Sequence, residues 1–351
     1  MKLLIVTQKV NLEDPILGFF HRWIIEFARH CESVVVICLE EGAHELPANV
    51  KVLSLGKVKG DSSQLKYILH FYKYIWQERE NYDAVFVHMN PIYVVLGGLI
   101  WKVLGKKISL WYTHKNVDTK LIIAEKLADQ VFTASKEGFK LASNKVLATG
   151  HGIDVAQYAD APRSKTIGVE PITLLSVGRI TPIKNGDVLI EAAHLLKKQW
   201  GKKFTIDFIG SPVTENDRSY KKTLEALISK YDLGEIVHFV GDISPVNMPE
   251  RYASADVTVN LAPTGGADKV VLESMAAGVP VLATNGAFNG YFGVHAGKLM
   301  FMEGDASDLA TKIMKLFSGD GAAQVGADLQ KVAREKADVG MLIQTISAKL
   351  N

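Results

Sequence analysis

Thr173-Leu174-Leu175-Ser176-Val177-Gly178-Arg179-Ile180-Thr181-Pro182-Ile183-Lys184-Asn185-Gly186 runs from a short apolar stretch through a loop carrying Gly, Arg and Lys into a helix-period segment, 186–199. A five-residue apolar run closed by glycine reads as a buried strand, and the segment after it as an amphipathic helix. Such a strand and helix are half of a βαβ unit, and the rest of the chain repeats them. Downstream, strand candidates are 205–209, 237–240, 257–260, 279–283 and 297–301; helix candidates are 219–231, 249–253, 272–277 and 306–317. Upstream, apolar runs at 3–6, 34–39, 50–55, 84–88, 108–112, 130–133 and 145–149 alternate with amphipathic stretches such as 19–30, 63–80 and 91–104. This alternation predicts an α/β fold of parallel, doubly wound sheets.

The stretch 158–171 interrupts the pattern: it is polar, holds Pro162 and Pro171, and reads as a linker. The expected organisation is therefore two Rossmann-like domains, 1–166 and 167–332, facing a cleft. A last helical stretch, 333–351, has no strand after it. A length of 351 residues fits two domains. The 48% hydrophobic and 22% charged content supports sizeable cores without disulfides. Net charge is +2, which excludes a polybasic nucleic-acid binder. Two cysteines, Cys31 and Cys38, exclude a disulfide framework and a four-Cys zinc site, so a reducing, cytoplasmic setting is expected. The run 3–6 is too short for a signal-peptide core, and the longest membrane-like stretch, 92–104, is broken by Lys102.

In open parallel sheets ligands bind outside the carboxyl ends of the strands, so the loops after strands are the ones to inspect. Gly18 precedes a helix after the first strand and could let a ligand approach backbone amides, or simply permit a turn. It belongs to no G-x-G-x-x-G fingerprint. His114, in Trp111-Tyr112-Thr113-His114, follows a strand and could donate to a substrate hydroxyl or shuttle a proton; an isolated histidine can equally be structural. Gly178, Arg179 and Lys184 enter a helix together. A guanidinium fork and an ammonium there could hold a diphosphate and stabilise its departing charge; the competing reading is a solvated basic turn. In 263–281 a small-residue loop with Gly265, Gly266, Ala267, Asp268, Lys269 and Val270 opens a helix that contains Glu273, and its amides would form an anion site.

These segments, in this order, resemble the GT-B glycosyltransferases, and most closely glycosyltransferase family 4. Ser176–Gly186 and the later Leu272-Glu273-Ser274-Met275-Ala276-Ala277-Gly278-Val279-Pro280-Val281 resemble the family's second-domain signature. Gly150-His151-Gly152-Ile153-Asp154, Val237-His238-Phe239-Val240-Gly241 and Ala255-Asp256-Val257 resemble three of its further elements. The likeness runs over nearly the whole chain and is densest from 174 to 284.

The resemblance implies a retaining transferase that uses a nucleotide diphosphate sugar as co-substrate, with no cofactor and no metal. It places Arg179 and Lys184 on the donor diphosphate, Glu273 on the ribose, and backbone near Val240 on the base. Gly266, Ala267, Asp268, Lys269 and Val270 would meet the sugar and phosphate. His114 would face the sugar near the reacting carbon, Gly18 would lie close to the phosphates or acceptor, and the final helix would pack back on the first domain. A UDP- or GDP-sugar donor and a carbohydrate or lipid-linked acceptor follow.

One departure stands out. The family often has a second glutamate eight positions before Glu273, and this chain has Gly265 there. Either Asp268, Lys269 and backbone groups hold the sugar hydroxyls, or the donor differs, or the enzyme is weakened. A sugar-nucleotide epimerase, a non-catalytic nucleotide-sugar binder and a nicotinamide dehydrogenase are the rival readings. Separately, the region 51–120 carries eleven Lys/Arg against five Asp/Glu, with Tyr67, Phe71, Tyr72, Tyr74, Trp76 and Trp101. A basic aromatic face there could rest on anionic lipid at the inner membrane surface. The alternative is that its apolar side packs on the sheet while the lysines are solvated.

Overall fold

A computed structural model describes residues 1–57, 63–135, 138–263 and 268–350. The chain divides into two compact units, 1–152 with 339–351, and 153–338.

The first unit contains β1 (Lys2–Val10), α1 (Phe19–His30), β2 (Ser33–Glu41), β3 (Val50–Ser54), α2 (Gln64–Gln77), β4 (Ala84–His88), α3 (Pro91–Val103), β5 (Lys107–Trp111), α4 (Thr119–Leu127), β6 (Gln130–Thr133) and β7 (Val146–Ala148). Its strands form one parallel sheet in the order β3-β2-β1-β4-β5-β6-β7. Strands buried on both faces read as unbroken apolar runs, and Leu3, Leu4, Ile5 and Val6 are all fully buried. Alternate residues therefore feed two cores. One face packs on Phe20, Trp23, Ile24 and Phe27 of α1, the other on Tyr67, Phe71 and Ile75 of α2 and Tyr93, Val94 and Trp101 of α3.

The second unit contains α5 (Val155–Ala159), β8 (Ile172–Val177), α6 (Gly186–Gln199), β9 (Phe204–Ile209), α7 (Glu215–Lys230), β10 (Val237–Gly241), α8 (Met248–Ser254), β11 (Val257–Asn260), α9 (Lys269–Ala276), β12 (Val281–Ala283), α10 (Asn289–Phe292), α11 (Ala296–Leu299), α12 (Ala306–Leu316) and α13 (Gly321–Lys336). Its parallel sheet runs β10-β9-β8-β11-β12, so β8, the strand of the opening stretch, is central. The last helix, α14 (Val339–Leu350), belongs to the first unit, where Val339, Leu342, Ile343, Ile346 and Leu350 join the core beneath α1.

The unit boundary differs from the sequence expectation. It falls at 152/153 instead of 166/167, and at 338/339 instead of 332/333. Ile153 donates its N–H to Ala337 O at 2.8 Å, and Val155 and Tyr158 are buried in the second core. The stretch read as a linker is fastened down by one carboxylate. Asp256, fully buried, accepts from Gly168 N (2.8 Å) and Thr173 N (2.7 Å) and pairs with Lys165 at 2.5 Å. Two further expectations change. At 297–301 only Met300 bridges to the sheet, because 296–299 is helical and the Met300 N–H is used by Ala296 O. The terminal helical stretch breaks at Ala337, where α13 ends, and resumes as α14.

Three of the six aromatic residues singled out in 51–120 are core, and Tyr72 and Tyr74 pack against it half-buried. Phe71 and Trp101 are fully buried and Tyr67 nearly so, all against the sheet. Of the six only Trp76, on α2, is exposed; the other exposed apolar side chains are Leu65 and Leu69 on α2, and Leu99 and Val103 on α3. Among the described residues no helix is long and apolar enough to cross a membrane.

Candidate functional site

β8 ends at Val177, and the chain must leave a fully flanked strand without colliding with its neighbours. Gly178 does this at φ +142, in the region that glycine favours. Its N–H donates to Ile209 O at 2.9 Å, at the end of β9. Gly210 follows β9 at φ +126, and Gly241 closes β10 at φ +85, with Gly210 N donating to Gly241 O at 2.8 Å. Three glycines thus line the carboxyl edge of three adjacent strands. In the ladder Phe239 pairs with Phe208 and Gly241 with Ile209, so Val240 is an extra, bulged residue.

After Gly178, Ile180 anchors the loop in the core, Pro182–Lys184 makes one 3-10 turn, and Asn185 takes a left-handed conformation (φ 45) before α6. Two contacts brace this loop against α7. Asp217 completes the capping box of that helix with the N-cap Thr214, accepting Thr214 N at 2.9 Å, and hydrogen bonds from Thr181 and from backbone hold its carboxyl well below the usual range. Tyr220 donates its hydroxyl to Asp187, and burial, then that carboxylate, pushes the phenol up. A crevice opens over the loop, lined by Gly178, Arg179, Lys184, Phe208, Tyr220 and Asn260 among others.

Within this crevice the two cations differ. Arg179 is exposed, and its guanidinium has no partner among the described residues. Lys184 lies across Gly178, where a Cβ would meet its Cε at 3.4 Å, and its ammonium reaches Asp268 Oδ2 at 2.6 Å. Asn260 Nδ2 donates to the same oxygen at 3.1 Å. Burial would raise the Asp268 carboxyl, but Lys184, the Asn260 hydrogen bond and Lys269 together hold it below the ordinary carboxylate range.

Asp268 also precedes α9, whose first turn holds Lys269 and Val270; Val271 N donates back to Asp268 O at 3.1 Å. One turn on, Glu273 is not a surface glutamate: it is 3% exposed. Its carboxylate accepts from Tyr252 OH at 2.9 Å and Lys269 Nζ at 3.1 Å, and Tyr158 also hydrogen-bonds to it. Burial, then that charge, raises both phenols well above their ordinary value. A ribose hydroxyl would have to compete with these donors. Gly265, Gly266 and Ala267 lie outside the described residues. Among the described residues no three His, Cys, Asp or Glu side chains gather as a metal site.

Gly18 and His114 belong to the first unit. Gly18 caps α1 with φ −56 and ψ −30, a conformation open to any residue, so its glycine freedom is not what the turn requires. His114 is exposed on the loop leaving β5, edge-on to Tyr112 at 5.7 Å. Nearer the sheet, His88 is buried, stacked on Phe20 at 3.9 Å, with Nδ1 3.2 Å from Thr7 Oγ1.

The second unit thus gathers Gly178, Arg179, Lys184 and Asp268 from two sequence segments, with Lys269, Val270 and Glu273 one turn further along α9. The sequence reading missed Gly210, Asn260, Asp217 and Tyr220. Only Gly210 carried a usable signal, as a glycine directly after a strand.

Comparison with known proteins agrees with this geometry. The family model described as glycosyl transferases group 1 matches residues 158–337, just over half of the chain. A D-inositol 3-phosphate glycosyltransferase of Kineococcus radiotolerans is 30% identical over 148 residues, 40% of this chain and 34% of that one. The putative colanic acid biosynthesis glycosyltransferase WcaL of Escherichia coli is 27% identical over 169 residues, 46% and 37% of the two chains. The chain thus matches only about a third of the length of these curated relatives. Among solved structures, Anabaena HepE in complex with UDP and glucose superposes with a TM-score of 0.78 at 19% identity, covering 100% of this chain and 99% of that one. Sucrose-phosphate synthase from Thermosynechococcus elongatus gives 0.78 at 16%, covering 99% and 98%. These likenesses show the fold, the GT-B combination of two parallel α/β units, and with the family match over the unit that carries the crevice, the chain belongs to the glycosyl transferases group 1 family.

Proposed function

We propose that the protein is a retaining glycosyltransferase that moves a sugar from a nucleoside diphosphate sugar to an acceptor hydroxyl without a metal. The observation that carries this is the pair Arg179 and Lys184 over Gly178, at the carboxyl end of a central parallel strand. Negative charge grows on the diphosphate as the glycosidic bond breaks, and fixed cations aimed there stabilise the transition state more than the ground state. A UDP-sugar is the first donor to test, because HepE was solved with UDP and with UDP-glucose. Asp268 is assigned to the donor's sugar hydroxyls, Lys269 and Val270 to its sugar and phosphate, the Val240 bulge to the base, and Glu273 to the ribose once a donor hydroxyl replaces one of its present partners. Retention and the roles of His114 at the sugar and Gly18 near the phosphates or acceptor rest on the family resemblance.

The acceptor is assigned as a carbohydrate or lipid-linked hydroxyl. The exposed Leu65, Leu69, Trp76, Leu99 and Val103, on two helices that share one face of the sheet, support a bilayer as the setting for the lipid-linked case. Vesicle flotation at low salt, with and without anionic lipid, tests it; no binding to either sinks that part.

A second reading, a nucleotide-sugar binder without turnover, is favoured by Gly265 and by the engagement of Glu273 with Tyr158, Tyr252 and Lys269. One experiment separates the two. A thermal-shift panel of UDP-, GDP- and ADP-sugars identifies the ligand, since a native-state ligand raises apparent stability. The same donor is then incubated with a broad acceptor set in EDTA, and the product's anomeric configuration is read by NMR. Retained-configuration product supports the transferase. A shift without product over all acceptors supports the binder, and no shift with any donor overturns both.

A further inference from the structure

We propose that Asp268 is an internal competitor for Lys184: its carboxylate holds the ammonium that a donor diphosphate must take, and retakes it when the nucleoside diphosphate leaves. This rests on the transferase reading above.

The geometry is specific. Asp268 Oδ2 is 2.6 Å from Lys184 Nζ and 3.1 Å from Asn260 Nδ2, so one oxygen accepts from both. Asn260 is 3% exposed and its Oδ1 has no partner among the described residues, so burial fixes the amide with its donor end on Asp268. Asp268 and Lys184 side chains are only 23% and 30% exposed, which limits solvent screening of the pair. Arg179, in the same crevice, is exposed and unpartnered among the described residues. One cation of the two is open and the other is already neutralised from within.

A second anion at Lys184 has either to displace the carboxylate or to sit beside it against like-charge repulsion. A ligand with two phosphate groups engages both cations and bears that cost. A ligand with one phosphate has Arg179 available and bears none of it. Asp268 therefore lowers affinity for a diphosphate selectively and favours release of the product. Because its partners keep Asp268 ionised, protonation near neutral pH does not relieve the competition.

The test is calorimetric titration of UDP and UMP into the full-length protein, with stopped-flow dissociation of UDP. Removing the charge with Asp268→Asn should tighten UDP about tenfold, roughly the worth of one partly buried ion pair, mainly through slower dissociation, and leave UMP within about twofold. The gain should vanish when Lys184→Ala is already present. Asn260→Ala, which loosens the carboxylate without removing it, should give a smaller gain in the same direction and stands in should Asp268→Asn not fold. UDP bound no more tightly by either folded variant overturns this proposal while leaving the transferase reading in place. No binding of UDP, GDP or ADP by the wild type overturns both.

Discussion

Gly210 stands so close to Gly178 that a Cβ on it would lie 2.2 Å from the Gly178 carbonyl oxygen and 3.4 Å from the Arg179 nitrogen. The loop that carries both cations is therefore seated directly on the turn after the neighbouring strand. Gly210→Ala must move backbone, and it does so at φ +126, where a side chain is strained in any case. We expect a loss of about 1–3 kcal/mol in urea unfolding together with weaker nucleotide binding. Gly201→Ala is the control: φ is also positive, at +65, but nothing lies within 4 Å of the new Cβ. It should cost about 1 kcal/mol and leave binding unchanged. Equal effects of the two variants on binding would refute the seating argument.

Arg179→Ala and Lys184→Ala should each lower kcat/KM with a verified donor by about 10²–10³, the usual cost of one electrostatic contact to a transition state. Stability separates them. Arg179 is exposed and unpartnered among the described residues, so its removal should stay within about 0.5 kcal/mol. Lys184→Ala leaves Asp268 without its ion-pair partner and should cost more, on the order of 1 kcal/mol. Steady-state kinetics beside urea melts reads both, and unchanged kinetics in either variant removes that residue from the diphosphate.

The strand, loop and helix around Gly178 were legible because their signals are local. An apolar run, a glycine and two cations lie within a dozen residues, and the periodicity changes across them. What was not legible was long-range. Glu273 reads as any helix glutamate until Tyr158 and Tyr252, from α5 and α8, close on it. Nothing in the spacing of those three residues announces it. The stretch 158–171 looked like a linker because polar, proline-bearing chain is the common composition of linkers. Here its backbone donors are met by Asp256, far along the sequence. On α2 the sequence pointed to aromatic residues, yet Tyr67 and Phe71 face the sheet, while Trp76 faces out with Leu65 and Leu69. Which rings are buried follows from the helix face they occupy, and residue type alone does not fix that face.

Asp256 gives the third prediction. A fully buried carboxylate with two N–H donors and one lysine ties the 165–173 segment to the start of β11. Asp256→Ala removes the counter-ion of Lys165, which keeps only the neutral acceptors Pro171 O and Thr173 Oγ1, and leaves Gly168 N–H and Thr173 N–H without an acceptor. Breaking such a group by removing one side costs about 3–5 kcal/mol. Lys165→Met keeps both backbone donors and should cost less. Urea unfolding gives the energies, and limited proteolysis should show faster cleavage within 162–171 only in the aspartate variant. A loss below about 1 kcal/mol for Asp256→Ala would show that the segment is held by other contacts.

His88 makes the stability of the first unit depend on pH, and the sign can be worked out. Burial, with His151 adding to it, pushes its imidazole down to about 3. In the unfolded chain the same group titrates near about 6.5. Between those values the unfolded state binds a proton that the folded state excludes. Stability therefore rises with pH across this window and is lost on acidification, by up to about 1.4 kcal/mol per pH unit; above about pH 6.5 the term is flat. Many carboxylates titrate in the same range, so the slope of the wild type alone decides nothing. His88→Asn removes the imidazole and keeps a polar group near Thr7 Oγ1. The variant should be less stable at pH 7.5, where the ring's stacking on Phe20 is lost, and the gap should narrow as pH falls from 6.5 to 4.5. Urea midpoints for both proteins at four pH values measure that gap. A gap that stays constant across the series would show that His88 takes up its proton in the folded state as readily as in the unfolded one.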